Sequence, residues 1–449
     1  MSTPQDTAAA APATHDLEII LTPRKPALVD DRRQSLDVLL RLVARGAAPL
    51  QRTPLSLSLV IDRSGSMSGG KLDAAKACAA DLVSRLDAAD EVGLVVYDDA
   101  VQTVLPLTPA PQARERIAAV LASFSDGGST DLHGGWLAGA LQVAPRTGPG
   151  RLCRVVLLSD GQANHGETDP GRICDQVRQL AASGVSTTTV GLGEGFNEAL
   201  MTEMATAGQG SALYGDRAED LAEAFESEIG LLSHLAWRDV RLTTGSATSR
   251  WALLNDYPRN AEGQWMLPSV AAGAEAWACF SVPMDSAVRA QARSRQGKAF
   301  HVTVQALDGS GQPRTFKASL PALPVVDAAR WLAMDADELV QRRLTELRAA
   351  RLQRRARAAA EDGNWAEAER LLSEVETLAA DHPWILQTVQ QTRTLVARRD
   401  RMRFGKEMLY ASRSMSQRLA EPDEVLAYSI DVEAEKMAYL RRKGYQGRS

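Results

Sequence analysis

The sequence predicts an α/β protein: a doubly wound, mainly parallel sheet is inserted in a β-sandwich and is followed by a C-terminal helical region. Three observations support this fold class. Between residues 54 and 233, apolar runs of strand length alternate with amphipathic stretches of helical period. The flanking segments 17–53 and 234–325 contain short β-rich runs separated by turn signals. From residue 326 to residue 420, helix-forming residues dominate.

Composition and the N-terminus narrow the class of protein. The first 16 residues, MSTPQDTAAAAPATHD, have neither the basic nor the apolar region of a signal peptide, and we expect a disordered leader. No stretch approaches the ~20 apolar residues that a membrane helix needs. The net charge of −5 gives no drive toward nucleic acid or an anionic membrane. Four widely spaced cysteines without CxxC spacing are typical of buried thiols. Together these features predict a cytoplasmic protein that binds neither nucleic acid nor membrane.

The alternating part of the chain contains six candidate strands and six candidate helices. The strands are Leu55–Asp62, Val92–Tyr97, Val101–Leu107, Cys153–Ser159, Val185–Gly191 and Ser211–Tyr214. The amphipathic segments lie near 72–86, 112–123, 133–143, 170–183, 197–207 and 217–233. Apolar strands that alternate with helices indicate a mainly parallel sheet covered on both faces.

The pattern of the flanking segments predicts antiparallel strands instead. Two runs near the N-terminus, LEIILTP and LDVLLRLVARG, are separated by the charged turn DDRRQ. Later runs such as DVRLTT, AWACFSVPM and KAFHVTVQAL follow the same pattern. We expect the N-terminal strands to complete one β-sandwich with the strands of 234–325, because both sets would otherwise leave unpaired edges.

The helical region contains one conspicuous hairpin pattern. Residues 356–383 resemble a single tetratricopeptide-type pair of helices, with Gly363 and Asn364 at the break and Pro383 at the next helix start. Arrays of that type need about three copies, and one copy is visible here. We therefore interpret the segment as a helical hairpin packed on the rest of the chain. Residues 421–449 are predicted to be a C-terminal tail.

Three loops carry oxygen-bearing side chains at positions where strands end or helices begin. The run LSLSLVIDRSGSM places Asp62, Ser64 and Ser66 after the first apolar strand. The run RVVLLSDG places Asp160 after another strand, and the Gly-rich loop DGGSTD carries Thr130 before a helix. In a doubly wound sheet such ends meet at one crevice. Carboxylates and hydroxyls suit Mg²⁺, Mn²⁺ or Ca²⁺, and no His/Cys pattern suggests zinc.

These motifs resemble the von Willebrand factor type A (VWA) domain with its metal-ion-dependent adhesion site (MIDAS). The family pattern is Asp-x-Ser-x-Ser, a separate threonine, and a distant aspartate that is commonly followed by glycine. All five positions occur in order in this chain, within DRSGSM, GSTDL and SDGQAN: Asp62, Ser64, Ser66, Thr130 and Asp160. The resemblance covers residues 54–233 and implies a Rossmann-like fold. The whole arrangement resembles bacterial cytosolic members, in which such a domain is embedded in a β-rich frame.

The resemblance also implies roles for the site residues and a function. Ser64, Ser66 and Thr130 are expected to ligate a divalent cation directly, while Asp62 and Asp160 orient water and hydroxyls. Neutral ligands leave the cation electrophilic, and this favours an acidic side chain from another protein. The predicted function is divalent-metal-dependent protein binding without catalysis, in which an Asp or Glu of the partner completes the metal coordination.

Other polar groups receive a structural interpretation. His133 and His165 lie near the predicted crevice, but no nucleophile–base–orienter set surrounds them, so we interpret them as loop histidines. Asp131 and Ser129 are interpreted as loop-capping residues. A basic stretch lies in a helical pattern with interspersed leucines and is interpreted as a solvated face or one that pairs with acidic neighbours. Its members are the arginines at 342, 343, 348, 351, 354, 355 and 357.

Two alternative functions stay open at this stage. One is a structural scaffold whose site is unused. The other is a Mg²⁺-dependent phosphoryl hydrolase with Asp62 as the nucleophile. The hydrolase is disfavoured because Ser64 stands where a second acid or base is expected. It also lacks an obvious lysine for the phosphoryl group, since Lys71 falls within the first predicted helix.

Overall fold

The computed structural model describes residues 16–29, 35–45, 53–148, 150–192, 196–215, 235–245, 251–283 and 301–417. Four predicted features lie outside these residues: positions 1–15 of the leader, the charged turn at 30–34, the helix near 217–233 and the tail 421–449. Asp16, the last residue of the predicted leader, begins the first strand. The chain starts with β1 (Asp16–Pro23), β2 (Leu28–Val29) and β3 (Ser35–Arg45).

The next part of the chain alternates strands and helices as the hydrophobic pattern predicts. Its strands are β4 (Leu55–Asp62), β5 (Glu91–Tyr97), β6 (Val101–Pro109), β7 (Leu152–Ser159), β8 (Val185–Leu192) and β9 (Gln209–Gly215). Its helices are α1 (Lys71–Ser84), α2 (Ala110–Ala122), α3 (Leu132–Val143), α4 (Pro170–Ala182) and α5 (Glu198–Ala207). Each boundary lies within a few residues of the predicted one, because buried strands and amphipathic helices differ sharply in period.

These strands form one six-stranded sheet in the order β6-β5-β4-β7-β8-β9. All described neighbours are parallel except β5 and β6, which are antiparallel. Leu59 and Ile61 belong to the hydrophobic cluster on the α1 and α2 side, whereas Val60 belongs to the cluster on the α3, α4 and α5 side. Helices therefore cover both faces, and the prediction of a doubly wound, mainly parallel sheet is confirmed.

The segment after residue 234 forms mostly antiparallel strands. They are β10 (Leu235–Thr244), β11 (Ala252–Leu253), β12 (Trp265–Leu267), β13 (Val270–Ala271), β14 (Glu275–Pro283), β15 (His301–Asp308) and β16 (Pro313–Ser319). One sheet has the order β1-β3-β14-β11, and a second contains β12, β10, β15 and β16, with β13 paired to β10. Apolar side chains of both sheets, among them Leu40, Phe280 and Val304, pack in one hydrophobic cluster.

The antiparallel pairing of β3 with β14 joins segments on opposite sides of the parallel sheet. Its register places Val43 opposite Glu275 and Leu39 opposite Cys279. The Nε of Arg41 donates a 2.8 Å hydrogen bond to Glu275, which lies 234 positions later in the chain. The N-terminal strand β3 is thus paired with a strand that follows the parallel sheet in sequence.

The last described part of the chain is helical, as predicted. After the short strand β17 (Val325–Val326) come α6 (Ala328–Ala333), α7 (Glu338–Glu361), α8 (Trp365–Leu378), α9 (Pro383–Arg398) and α10 (Arg401–Gln417). Gly363 has a φ of 76° between α7 and α8, and the Asn364 side chain accepts a hydrogen bond from the Glu367 amide. These two residues end one helix and cap the next.

A buried arginine of α7, Arg343, contacts the sheet that contains β3 and β14. Leu344 and Leu347 of α7 pack with Leu39 and Trp277 of the two strands. Arg343, 1% exposed, donates a 3.0 Å hydrogen bond to Glu346 of the same helix, and its guanidinium lies 4.6 Å from the centre of the Trp277 ring and 3.9 Å from Oε1 of Glu275, both on β14. The long helix α7, which provides the first helix of the predicted hairpin, is therefore packed on this sheet.

Two further features concern the cysteines and the length of the apolar helices. Each of the four cysteines is buried and unbonded to another cysteine. Within the described residues, no helix combines the length and apolar character that crossing a membrane requires.

Candidate functional site

Asp62 lies at the point where the order of the parallel strands reverses. It is the last residue of β4, which has β5 on one side and β7 on the other. The chain leaves β4 toward β5 and β6, and later resumes on the other side with β7, β8 and β9. The carboxyl ends of strands at such a reversal open into a crevice. The fold therefore places Asp62 and the loop after β7 beside each other.

The loop after β4 brings Ser64 and Ser66 together. The backbone N–H of Ser64 donates a 2.9 Å hydrogen bond to Oδ1 of Asp62, and a short 3₁₀ turn follows at Gly65–Met67. The hydroxyl oxygens of Ser64 and Ser66 are 3.0 Å apart. Ser64 is buried, whereas Ser66 is partly exposed. The Asp-x-Ser-x-Ser spacing thus turns two hydroxyls toward one another beside a buried carboxylate.

Backbone hydrogen bonds hold the loop of Thr130 against the other two loops. The amide of Gly65 donates to the carbonyl of Gly128 at 3.1 Å, and the amide of Gly127 donates to the carbonyl of Arg63 at 2.8 Å. On its other side, Thr130 is clamped by Asn164. The Thr130 amide donates to the Asn164 side chain at 2.8 Å, and the Asn164 amide donates to the Thr130 carbonyl at 3.2 Å. Thr130 is 1% exposed.

Gly128 fits this junction for a steric reason. Its φ is 73°, in the left-handed region that glycine tolerates best. A Cβ on this residue would lie 2.7 Å from the Asp99 carboxylate and 2.9 Å from Cβ of Asp98. The Gly-rich character of the loop therefore reflects both backbone conformation and close approach.

Asp160 completes the set from the loop after β7. Its side chain has no solvent exposure, and its Oδ2 lies 3.3 Å from the Nζ of Lys71. Its other oxygen, Oδ1, is buried and has no hydrogen-bond partner among the described residues. The Asp160 carbonyl accepts a 2.9 Å hydrogen bond from the Asn197 amide at the start of α5. A buried carboxylate oxygen without a partner is costly unless another group, such as a cation, approaches it.

The electrostatics around Asp62 differ from those of a surface aspartate. Burial raises the pKa of the Asp62 carboxyl above its ordinary value, and the nearby Asp160 charge acts in the same direction. The hydrogen bond from Ser159, 2.6 Å from Oδ2 of Asp62, opposes this shift by stabilising the ionised form. Burial also holds the pKa of the neighbouring Tyr97 phenol well above its usual range, so Tyr97 acts as a neutral donor to Asp62 at 3.3 Å.

The donor set fits a hard divalent cation on these observations. Two carboxylates without solvent exposure have one ammonium group near them, that of Lys71 beside Asp160, and one carboxylate oxygen lacks a partner among the described residues. The hydroxyls nearby are oxygen donors, which Mg²⁺, Mn²⁺ and Ca²⁺ prefer. Across the described residues, no group of three or more His, Cys, Asp or Glu side chains could hold a metal. A cation here would therefore depend on the hydroxyls as much as on the carboxylates.

The structure places four residues at the site that the motif did not include. Ser159 and Tyr97 donate to Asp62, Asn164 clamps Thr130, and Lys71 contacts Asp160. Lys71 lies in α1, as predicted, but the inference that it is therefore unavailable at the site is wrong. It is the first residue of the helix, and its side chain reaches back to Asp160 at 3.3 Å and to the Ser66 carbonyl at 2.9 Å. The sequence signal for this contact was the position of Lys71 directly after the glycine pair 69–70. A residue in the first turn of α1 lies beside the loop that carries Ser64 and Ser66.

The contacts confirm one interpretation of the nearby polar groups and correct another. The Asp131 side chain caps α3 by accepting a 2.9 Å hydrogen bond from the Gly134 amide. The prediction that His133 is a loop histidine is wrong: it lies in the first turn of α3, and its Nε2 is 2.8 Å from the Gln176 side chain. In the basic stretch, Arg343 pairs with Glu346, and the arginines at 354, 355 and 357 pair with Asp256, Glu367 and Glu361. Pairing with acidic neighbours therefore accounts for several of these charges.

Sequence comparisons agree with this geometry. A family model for the von Willebrand factor type A domain matches residues 57–227. An uncharacterized protein of Synechocystis sp. is 27% identical over 193 residues, which cover 43% of this chain and 45% of that protein. The uncharacterized protein YfbK of Escherichia coli is 29% identical over 218 residues, or 48% of this chain and 37% of YfbK. The human inter-alpha-trypsin inhibitor heavy chain H3 is 26% identical over 186 residues, or 39% of this chain and 21% of the heavy chain. The matches span less than half the length of each of these relatives.

Two solved structures resemble most of the chain. A von Willebrand factor type A protein from Catenulispora acidiphila superimposes with a TM-score of 0.67 at 17% identity and covers 85% of this chain and 90% of that one. The ArnB paralog VWA2 from Sulfolobus acidocaldarius gives a TM-score of 0.60 at 18% identity, covering 89% of this chain and 99% of that one. At these identities the likeness shows the fold. Together with the match of the family model, it shows that residues 57–227 form a von Willebrand factor type A domain.

Proposed function

We propose that this protein binds another protein in a divalent-metal-dependent manner through the site formed by Asp62, Ser64, Ser66, Thr130 and Asp160. VWA domains typically mediate protein–protein interaction. The observation that carries the metal dependence is the charge imbalance at the strand ends. Two fully buried carboxylates face one ammonium group, and one oxygen of Asp160 is left without a partner among the described residues.

The hydroxyls of Ser64, Ser66 and Thr130 would hold the cation directly, while Asp62 and Asp160 would orient water and hydroxyls around it. A cation bound by neutral ligands supplies a strong electrophile for a carboxylate. Ser66 and the exposed residues Gly65 and Gly128 lie at the open side of the site, from which a partner could approach. An Asp or Glu of the partner would then complete the coordination, in a partly desolvated place where charge pairs are stronger than at an open surface.

We also infer that the site is not catalytic. Asp62, the candidate nucleophile of a phosphoryl hydrolase, has no exposure, and both of its oxygens already accept hydrogen bonds, from Ser64, Ser159 and Tyr97. Lys71 does reach the site, but its ammonium contacts Asp160 and the Ser66 carbonyl. This arrangement supports a role in holding the loops together. A structural scaffold with an unused site is the remaining alternative, and a metal titration distinguishes it.

The test is a thermal melt of the full chain in EDTA and in millimolar Mg²⁺ or Mn²⁺, with Thr130→Ala as the site variant and Thr108→Ala as a buried control distant in sequence. A cation that binds only the folded state stabilises it by about 2.7 kcal/mol at a hundredfold excess over Kd. We expect a metal-dependent rise for the wild type and Thr108→Ala, and none for Thr130→Ala. A wild-type melt that is identical in EDTA and Mg²⁺ would support the scaffold instead.

The partner is then sought by affinity capture in Mg²⁺ buffer, with wild type beside Thr130→Ala. Proteins captured only by the wild type and released by EDTA would be the candidates. An acidic residue in such a partner can be changed to Asn or Gln, which removes the charge and keeps the shape. Loss of binding in that variant would identify the group that meets the site.

A further inference from the structure

We propose that Lys71 is the built-in counter-ion of the site, and that its charge makes the metal-loaded site attractive to an acidic ligand; this inference rests on the proposed function. Lys71 is the first residue of α1, and its ammonium lies 3.3 Å from Oδ2 of Asp160 and 2.9 Å from the Ser66 carbonyl. It therefore bridges two of the three loops that form the site. Its side chain is 26% exposed, whereas that of Asp160 is fully buried.

A count of the buried charges shows what Lys71 changes. When both carboxyls are ionised, Asp62 and Asp160 contribute two negative charges and Lys71 contributes one positive charge, so the three groups together carry one net negative charge before metal is added. A divalent cation would reverse this to one net positive charge. If Lys71 were uncharged, the loaded site would be neutral. Lys71 thus decides whether the loaded site carries the positive charge that draws a carboxylate into a poorly solvated crevice.

Other charges near the site do not duplicate this role. Arg63, on the same loop, is paired with Asp98 at 2.8 Å, and this pair adds no net charge. Asp99 and Asp126 are exposed to solvent, where screening weakens their effect. Asp131 accepts the hydrogen bond that caps α3. Among the described residues, Lys71 is the cation in direct contact with a site carboxylate.

The same contact should weaken the binding of the metal. A fixed ammonium beside Asp160 repels a divalent cation and already satisfies one carboxylate oxygen. The site would therefore stay assembled without metal, at the expense of affinity for it. The trade is between metal affinity, which the ammonium lowers, and carboxylate affinity, which it raises.

The experiment compares Lys71→Met with three matched variants. Lys71→Arg keeps the charge, and Lys71→Gln repeats the loss of charge with a polar side chain. Lys76→Met makes the same chemical change five residues along α1, where the ammonium contacts the Phe124 carbonyl and ring. Mn²⁺ affinity is measured from the electron paramagnetic resonance signal of free Mn²⁺. Acetate is then titrated against the Mn²⁺-loaded proteins, and water-proton relaxation reports its binding.

We expect Lys71→Met and Lys71→Gln to bind Mn²⁺ about tenfold more tightly than the wild type, as loss of one nearby unit charge implies. Acetate should bind these two variants several-fold more weakly, while Lys71→Arg and Lys76→Met resemble the wild type. Unchanged or weaker Mn²⁺ binding in Lys71→Met, or equal acetate affinity, overturns the proposal. So does a Lys71→Arg variant that behaves like Lys71→Met. A wild type that binds no Mn²⁺ overturns this proposal and the proposed function together, whereas a failure confined to the variants overturns this one alone.

Discussion

The hydroxyl of Ser159 donates a 2.6 Å hydrogen bond to Oδ2 of Asp62, linking the last residues of two adjacent parallel strands. The same oxygen of Ser159 accepts a 2.8 Å hydrogen bond from the Gly161 amide. Ser159 therefore connects the first site aspartate with the loop that carries the second. It lies outside the five-residue motif, yet it fixes the relation between the two carboxylates.

Ser159→Ala is expected to destabilise the protein in EDTA by about 1–3 kcal/mol. It removes the 2.6 Å hydrogen bond to Oδ2 of the buried Asp62 and leaves that oxygen with the 3.3 Å bond from Tyr97. The measurement is urea unfolding of the full chain. Ser58→Ala is the control: it removes a buried hydroxyl from the same strand as Asp62, and that hydroxyl contacts Gln142 at 3.3 Å. Equal losses of unfolding free energy in the two variants would mean that the hydrogen bond from Ser159 to Asp62 contributes no more to stability than that of an ordinary buried serine.

Asp62→Asn is expected to leave the protein in EDTA as stable as the wild type or more stable, and to abolish its response to Mg²⁺. Burial raises the pKa of Asp62, so ionising this carboxyl without a cation opposes folding. The amide keeps the shape and removes the charge. Thermal melts with and without Mg²⁺ measure both effects. A variant that still gains stability from Mg²⁺ would exclude Asp62 from the site.

Gly128→Ala tests the junction between the loops. A left-handed φ costs a non-glycine residue about 1–2 kcal/mol, and here the new Cβ would also approach Asp99 within 2.7 Å. Gly263→Ala separates the two effects, since Gly263 has a φ of 76° but open space around it. We expect both variants to lose stability in urea unfolding, but only Gly128→Ala to lose Mn²⁺ affinity. Wild-type affinity in Gly128→Ala would show that the loop of Thr130 tolerates displacement.

Arg343→Met tests the anchor between α7 and the sheet. Removing one partner of a buried ion pair costs about 3–5 kcal/mol, because the remaining charge stays buried. Arg343 lies 3.0 Å from Glu346 on its own helix and 3.9 Å from Glu275 on β14, so the variant removes a positive charge from beside two buried carboxylates. Arg370→Met, which removes an exposed partner of Glu367, should change the stability by less than about 1 kcal/mol. Guanidinium unfolding measures the stability of both variants. An Arg343→Met variant that loses less stability than Arg370→Met would argue against an anchoring role for Arg343.

His382 gives the helical region a pH dependence. Burial lowers the pKa of this half-buried imidazole, which lies just before α9. A lowered pKa means that the unfolded chain takes up a proton first, so stability present above about pH 6.5 is lost as the pH falls below that value. His382→Gln should lose less stability than the wild type between pH 7.5 and pH 5.5. Identical pH profiles from unfolding curves would contradict this.

Much of the fold and the position of the site follow from local pattern. The boundaries of β4 and β7 were predictable because buried parallel strands are rich in apolar residues, and Asp62 and Asp160 stand where those apolar runs stop. The contacts of Lys71, Ser159 and Asn164 were not predictable in the same way. They depend on side-chain direction across loops that are distant in sequence, and no periodicity encodes that direction. Lys71 shows the difference: its helix was predicted, but not the direction of its side chain.

The pairing of β3 with β14 has a consequence for how the polypeptide is made. As the nascent chain leaves the ribosome, Arg41 emerges 234 positions before Glu275, its partner across the two strands. The strands of the six-stranded sheet are all synthesised in that interval, and, among the described residues, each of them pairs only with other strands of the same sheet. Closing a long loop is slow, and early domains fold during synthesis. The edge of β3 that pairs with β14 therefore stays unpaired until β14 is synthesised, and the six-stranded sheet that carries the site can fold before then.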